Sequence, residues 1–226
     1  MTENETPGPF ASSPCMAHEL DPAFARAADP QQAADVARWR RARRAQLRAA
    51  RDALAVRARQ EAGQAIARHL RALLDARHDG ARGCVLSAYW PIKGEPDLRG
   101  LMADLHAAGV TVALPVVETR AAPLVFRRWT PATRMQRGDW NIPVPPPEAA
   151  ALRPDIVLAP CLGWTREGFR LGYGGGYFDR TLAALDPRPV TIGIGFAAAR
   201  LDTIYPQPHD IPLCAVVTED GPRTPA

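Results

Sequence analysis

From residue 84 onward the chain alternates short apolar runs with stretches of helical spacing, and this alternation constrains its fold more than any other feature. The runs are CVLSAYW (84–90), VTVALPVV (110–117), DIVLAP (155–160), VTIGIGF (190–196) and CAVVT (214–218). Strands that read as nearly continuous apolar runs are covered on both faces, as in parallel sheets. Helical spacing lies between them. Leu98, Leu101, Met102 and Leu105 recur at three- and four-residue steps, and Gly109 marks the stop. A further run, PLVFRRW (123–129), suits an edge strand, and PVPPPEAAALRP (143–154) reads as a proline-rich connection. The expected fold class is α/β: a three-layer α/β/α arrangement with a mostly parallel sheet and an N-terminal helical segment packed on it.

That segment covers residues 33–76. Val36, Trp39, Arg43, Leu47, Arg51 and Leu54 recur at helical steps, followed by Ile66, Leu70, Leu73 and Leu74. The pattern fits two helices, or one with a break near Ala55. Residues 33–220 read as a single domain, a size that 226 residues allow. Residues 1–32 carry acids and prolines and read as a disordered tail, and 221–226 as a C-terminal tail. The start lacks a basic segment followed by an apolar core, so no signal peptide is expected. No apolar stretch has bilayer length, and no membrane partner is expected. Cys15, Cys84, Cys161 and Cys214 are scattered without a CxxC pair. They read as reduced thiols of a cytoplasmic protein and not as a zinc site. The net charge of +4 rests almost wholly on arginine, with Lys93 the only lysine, so the arginine excess by itself names no partner.

One stretch asks for a chemical explanation. RLGYGGGYFDR (170–180) packs four glycines into five residues between an apolar strand and a helix expected over 177–185. Small residues there let backbone N–H groups close around an anion, and the helix N-terminus adds positive potential. The dinucleotide fingerprint would need glycine where Tyr177 stands, and no Gly-Lys-Ser/Thr of a P-loop is present. The loop is either a phosphate cradle of another type or a tight turn before a helix.

The same eleven residues resemble the signature of the 5-formyltetrahydrofolate cyclo-ligase family, usually RLGxGxGYYDR. Other elements resemble it in the same order: Arg44-Ala-Gln-Leu47-Arg48 for an N-terminal Lys-x-x-Leu-Arg, Tyr89 to Glu95 for "Y.P…GE", Trp140-Asn141-Ile142-Pro143 for "WNIP", and His209 to Cys214 with Thr218-Glu219 for the closing element. The resemblance covers about residues 35–220. Departures fall at Arg44, where lysine is usual, at Phe178 for tyrosine, at Cys214 and Thr165 for aspartates, and in GFAAARLDT, which lacks the usual glutamine.

The resemblance implies ATP-dependent cyclisation of 5-formyltetrahydrofolate to 5,10-methenyltetrahydrofolate, with ADP and phosphate released. It implies small-molecule partners, reduced folate and ATP, with magnesium as cofactor. Residue by residue, ATP would be held by Arg44, Arg48, Arg170, Leu171, Gly172, Tyr173, Gly174, Gly175, Gly176, Tyr177 and Phe178. Arg44 and Arg48, four residues apart, share a helix face. Folate would lie against Trp90, Glu95, Trp140, Tyr173, Gly174, Gly175, Gly176 and Tyr177. Glu95 and Tyr177 would be catalytic, and Asp179 and Asp210 would hold the metal, a hard cation suited to carboxylate oxygen. Each has a plainer reading: the tryptophans as core or surface aromatics, Glu95 as a turn acid, Asp179 as a favourable first-turn charge, Asp210 as a turn residue. Two other functions compete: nucleic-acid binding through the arginine run 38–59, and a sugar-phosphate-binding relative without ligase activity. The arginine run has no interleaved stacking aromatics and leaves the glycine loop unexplained, so no nucleic-acid partner is expected.

Overall fold

The computed structural model describes residues 30–225. By its internal contacts the chain forms two units, Met1–Trp39 and Arg40–Ala226; the sheet belongs to the second. Helix α1 (Pro30–Ala53) is followed by α2 (Val56–His78), with the break at Ala55, whose backbone is extended. Residues 30–32, expected in the tail, are helical; residues 1–29 and Cys15 with them lie outside the described residues.

The sheet is built from β1 (Val85–Ser87), β2 (Thr111–Val116), β3 (Val125–Arg128), β4 (Ala151–Leu152), β5 (Ile156–Pro160), β6 (Val190–Ile194), β7 (Ala215–Thr218) and β8 (Gly221–Arg223). Helix α3 (Arg99–Ala107) links β1 to β2, and α4 (Tyr177–Ala184) lies between β5 and β6. The strand order is β8-β7-β6-β5-β1-β2-β3-β4. β7, β6, β5, β1 and β2 run parallel, and β8, β3 and β4 add antiparallel edges.

Successive strand residues point to opposite faces, and the two faces bury different clusters. Leu86, Val112, Leu114, Ile156, Leu158, Ile192 and Val217 meet Ile66, Leu70 and Leu74 of α2 and Leu101, Met102 and Leu105 of α3. On the other face Ala159 and Val216 join Leu182 of α4, and Ala113 and Val157 pack with Phe178. The chain is therefore an α/β protein with helices on both faces of the sheet, as its apolar strands require.

Three stretches of the sheet also differ from the sequence reading. The run 84–90 yields only three strand residues, because Tyr89 leaves the ladder and its buried hydroxyl donates to the Pro96 carbonyl at 2.8 Å. PLVFRRW is not the outermost strand: Ala151–Leu152, from the proline-rich connection, pairs outside it. Gly221–Arg223, read as tail, forms an antiparallel edge on β7. Among the described residues no helix is long and apolar enough to cross a membrane.

Candidate functional site

Strand order reverses between β1 and β5: from β1 the chain steps to β2 on one side, while β5, β6 and β7 continue on the other. Open α/β sheets bind ligands beyond the carboxyl ends of the strands at such a point. Two segments leave there. Residues 88–98 follow β1. Residues 161–176 follow β5 and form an antiparallel ribbon, Gly163–Thr165 against Arg170–Leu171, which carries the glycine loop. Leu171 is buried, so it anchors the ribbon through its side chain and leaves only its backbone to the loop.

The first segment delivers Glu95. Residues 92–95 form a turn in which the Glu95 N–H donates to the Ile92 carbonyl at 3.0 Å and the Ile92 N–H donates to Glu95 Oε2 at 2.9 Å. Its two central residues, Lys93 and Gly94, have φ of 49° and 72°, the primed turn geometry that glycine tolerates best. The turn holds Glu95 at 8% exposure. Burial pushes its carboxyl up to about 7, against the opposing pull of the Ile92 N–H, the Arg51 charge, the Tyr173 hydroxyl and Lys93.

The glycine loop meets this turn through Tyr173. The Tyr173 hydroxyl stands beside Glu95, each shifting the other's ionisation, and it accepts a hydrogen bond from Arg51 Nη1 at 3.0 Å. The Lys93 ammonium lies 5.2 Å from the Tyr173 ring centre. Burial, then the Glu95 charge, push the Tyr173 hydroxyl up to about 12. Next along the loop, the Gly172 carbonyl accepts from Arg44 Nε at 2.8 Å. Gly174 has a φ of 99°, and a Cβ there would sit 3.3 Å from the Arg44 guanidinium carbon. Burial and the Arg40 charge lower the Arg44 pKa, with Asp210 opposing. The Gly175 carbonyl accepts from Arg180, whose guanidinium stands 5.0 Å from the Tyr177 ring centre.

Helix α1 presents Arg40, Arg44, Leu47 and Arg51 at steps of four, three and four. At 100° per residue these fall within about 60° of one another. Arg48 falls about 40° beyond Arg44; it is exposed and has no hydrogen-bond or ion partner among the described residues. Arg51 is 4% exposed and also donates to the Cys161 carbonyl, just past β5, at 3.3 Å. The sequence reading paired Arg44 with Arg48, put Arg51 on the helical stripe without a role in the site, and gave Arg40 none; the signal for both was this four-three-four step.

The two tryptophans part company. Trp140 is 66% exposed, in a turn where its own φ is 54° and that of Asn141 is 62°. Positive φ is costly for a bulky residue. Its ring meets the Tyr177 ring edge-on at 5.5 Å, and the Tyr177 hydroxyl accepts from the Ala121 N–H at 3.3 Å. An exposed aromatic held in strained backbone beside the loop suits a flat ligand. Trp90 is half-buried against the core, with the Arg99 guanidinium 5.4 Å from its ring centre, so one face is already covered.

The two carboxylates expected to hold magnesium are each engaged by arginine. Asp179 Oδ2 accepts from Arg170 at 2.9 Å, and its Oδ1 accepts from the Ile211 N–H at 3.4 Å. Arg170 is buried and lies 4.9 Å from the Phe178 ring centre, and its Nε has no hydrogen-bond partner. Asp210 takes two hydrogen bonds from Arg40 and one from the Gln207 N–H. Burial raises the Asp210 carboxyl, but these bonds and the Arg40 charge bring it below the usual range. Among the described residues no three His, Cys, Asp or Glu side chains cluster as metal ligands. Asp179 and Asp210 as they stand do not fit a resident cation, which would have to displace both guanidinium groups.

Comparison with known proteins places the chain in a family. Residues 36–219 match the model of the 5-formyltetrahydrofolate cyclo-ligase family. The chain is 32% identical over 144 residues to a Mycolicibacterium smegmatis protein named 5-formyltetrahydrofolate cyclo-ligase, covering 60% of this chain and 74% of that one. It is 27% identical over 176 residues to a Haemophilus influenzae protein of the same name, covering 75% and 92%. Its fold is similar to the solution structure of Aquifex aeolicus 5,10-methenyltetrahydrofolate synthetase (TM-score 0.69, 24% identity, 82% and 92% covered). It is also similar to the structure of a Mycoplasma pneumoniae 5,10-methenyltetrahydrofolate synthetase (TM-score 0.65, 23% identity, 80% and 98% covered).

Proposed function

The chain belongs to the 5-formyltetrahydrofolate cyclo-ligase family, and we propose that it is an ATP-dependent ligase that closes 5-formyltetrahydrofolate to 5,10-methenyltetrahydrofolate at the crevice beyond β1 and β5. The observation that carries this reading is the meeting of a buried acid, Glu95, with the glycine loop through Tyr173. A phosphate cradle and a carboxyl suited to a heterocycle's N–H groups then share one wall.

The chemical obstacle is the formyl oxygen, which is a poor leaving group from an amide-like carbon. Its attack on the γ-phosphorus of ATP forms a C–O–P link, releases ADP and makes the carbon electrophilic. N10 then adds to that carbon, N10 loses its proton, and the oxygen departs as phosphate. Such transfer needs alignment and charge neutralisation more than a protein nucleophile. Arg44 and the N–H groups of Gly174, Gly175 and Gly176 face the phosphates, with Arg48 free at the helix flank. Trp140 and Tyr177 flank the flat ring, and Trp90 lines the chain beyond β1. Glu95 orients the pterin N–H groups and, titrating near neutrality, receives the N10 proton. Magnesium arrives as the counter-ion of ATP, and no step passes through a protein-held metal.

Two results follow. ADP release should depend on 5-formyltetrahydrofolate and match methenyl product one to one; ATP hydrolysis indifferent to the folate would refute the reading. Arg44→Ala should raise the KM for ATP about tenfold or more, because a charge-assisted contact at the loop is lost. Arg48→Ala should raise it less, since exposed charges are worth about 0–1 kcal/mol. The reverse order in steady-state kinetics would reassign the phosphate contact to the helix flank.

A further inference from the structure

Arg51 is a buried cation that makes its hydrogen bonds to neutral acceptors. It donates to the Tyr173 hydroxyl at 3.0 Å and to the Cys161 carbonyl at 3.3 Å, and its guanidinium lies 5.9 Å from the Phe196 ring centre. No carboxylate lies within ion-pair distance of it among the described residues. A guanidinium this deep needs compensation. The neutral acceptors supply part of it, and Glu95 lies close enough for the Arg51 charge to pull its carboxyl down against the larger effect of burial.

We propose that Arg51 is a positioning residue that fastens the glycine loop to the Glu95 turn. Resting on the ligase reading above, it would hold the phosphate cradle in register with the acid that faces the folate. The fastening has three anchor points. Arg51 comes from the end of α1, Tyr173 from the loop and Cys161 from the end of β5, so one guanidinium ties helix, loop and sheet at the strand-order reversal. Gly94 permits the approach: a Cβ there would lie 3.5 Å from Arg51 Cδ, in the left-handed backbone of the turn. The hydroxyl has a defined role between the two charges. It accepts from Arg51, which leaves its own proton free to be directed at Glu95 beside it. Arg51 therefore acts on chemistry without touching the reacting atoms, through Tyr173.

Glu95 is faced by Arg51 from α1, by Tyr173 from the loop, by Lys93 and the Ile92 N–H from its own turn, by Tyr89 just past β1 and by Cys161 just past β5. Arg51 and Lys93 are the cations in that set, and Lys93 is exposed. Removing the buried one should raise the pH at which Glu95 ionises, since a nearby opposite charge favours the ionised form.

The test is a double-mutant cycle on Arg51→Met and Tyr173→Phe, with Arg51→Lys as the milder partner in case the methionine variant folds poorly. Arg51→Met should lower kcat/KM for the folate at least tenfold, with Arg51→Lys between it and wild type. In a Tyr173→Phe background the same change should cost several-fold less, because the path to Glu95 is already cut. The acidic limb of the pH profile should move upward in Arg51→Met. Titration of the Glu95 carboxyl by carbon NMR in labelled protein should move the same way, and this readout needs no turnover. If wild type lacked folate-dependent ATP turnover, the function would be refuted while the NMR shift still reported on Arg51. Equal losses in both backgrounds with an unmoved Glu95 titration would overturn the proposal.

Discussion

Glu95→Gln should lower kcat/KM for 5-formyltetrahydrofolate by about 10²- to 10⁴-fold, the usual scale for losing a positioned acid–base group, while leaving the protein more stable above neutrality. Both effects come from the same burial. Folding raises the Glu95 carboxyl from its ordinary value of 4.5 to about 7. A group raised on folding contributes stability that is fully present below its unfolded value and lost as pH rises through its folded value. At about 1.4 kcal/mol per pH unit this is roughly 3 kcal/mol between pH 4.5 and pH 7. Glutamine keeps the shape and carries no charge, so its curve should lack that loss. Thermal unfolding should show the variant gaining on wild type from pH 5 to pH 8. A constant gap across that range would mean that Glu95 is not held in a dry environment, and full activity of the variant would remove it from the site.

Gly174→Ala should be the second large effect, and it should fall on ATP. With φ at 99°, Gly174 occupies backbone that L-residues rarely adopt, and an added Cβ would approach the Arg44 guanidinium at 3.3 Å. Forcing a side chain there costs about 1–3 kcal/mol, which is roughly 5- to 150-fold in a binding constant. The residue is exposed and the loop holds little of the core, so the melting temperature should barely change. A raised KM for ATP with near-normal folate binding and normal unfolding is the expected pattern. An unchanged KM would show that the loop tolerates a different backbone and that its glycine geometry does not set the cradle.

Much of this arrangement was legible in the sequence because its causes are local. Apolar runs without a polar alternate specify buried strands, Gly109 specifies the end of α3, and four glycines before Tyr177 specify a loop opening a helix. What was missed depends on partners far along the chain. Ala151–Leu152 and Gly221–Arg223 are strands only because β3 and β7 offer open edges. Asp179 and Asp210 read as metal ligands until Arg170 and Arg40 are brought against them. Arg51 was on the helical stripe, but nothing local told a buried site arginine from the solvated arginines around it; its burial follows from the four-three-four step that lays one stripe of α1 over the glycine ribbon. The shift of Glu95 was beyond a sequence reading, since it depends on how tightly the turn at Lys93 and Gly94 is covered.

The central claim is that ATP activates the formyl oxygen at the crevice where the glycine loop meets Glu95. It is tested most directly by turnover of 5-formyltetrahydrofolate carrying ¹⁸O in its formyl group, with the released phosphate read by mass spectrometry. If the formyl oxygen attacks the γ-phosphorus, each phosphate released with methenyl product carries the label. Unlabelled phosphate, with ¹⁸O appearing in water, would mean that ATP hydrolysis and ring closure are separate events, and would contradict the account.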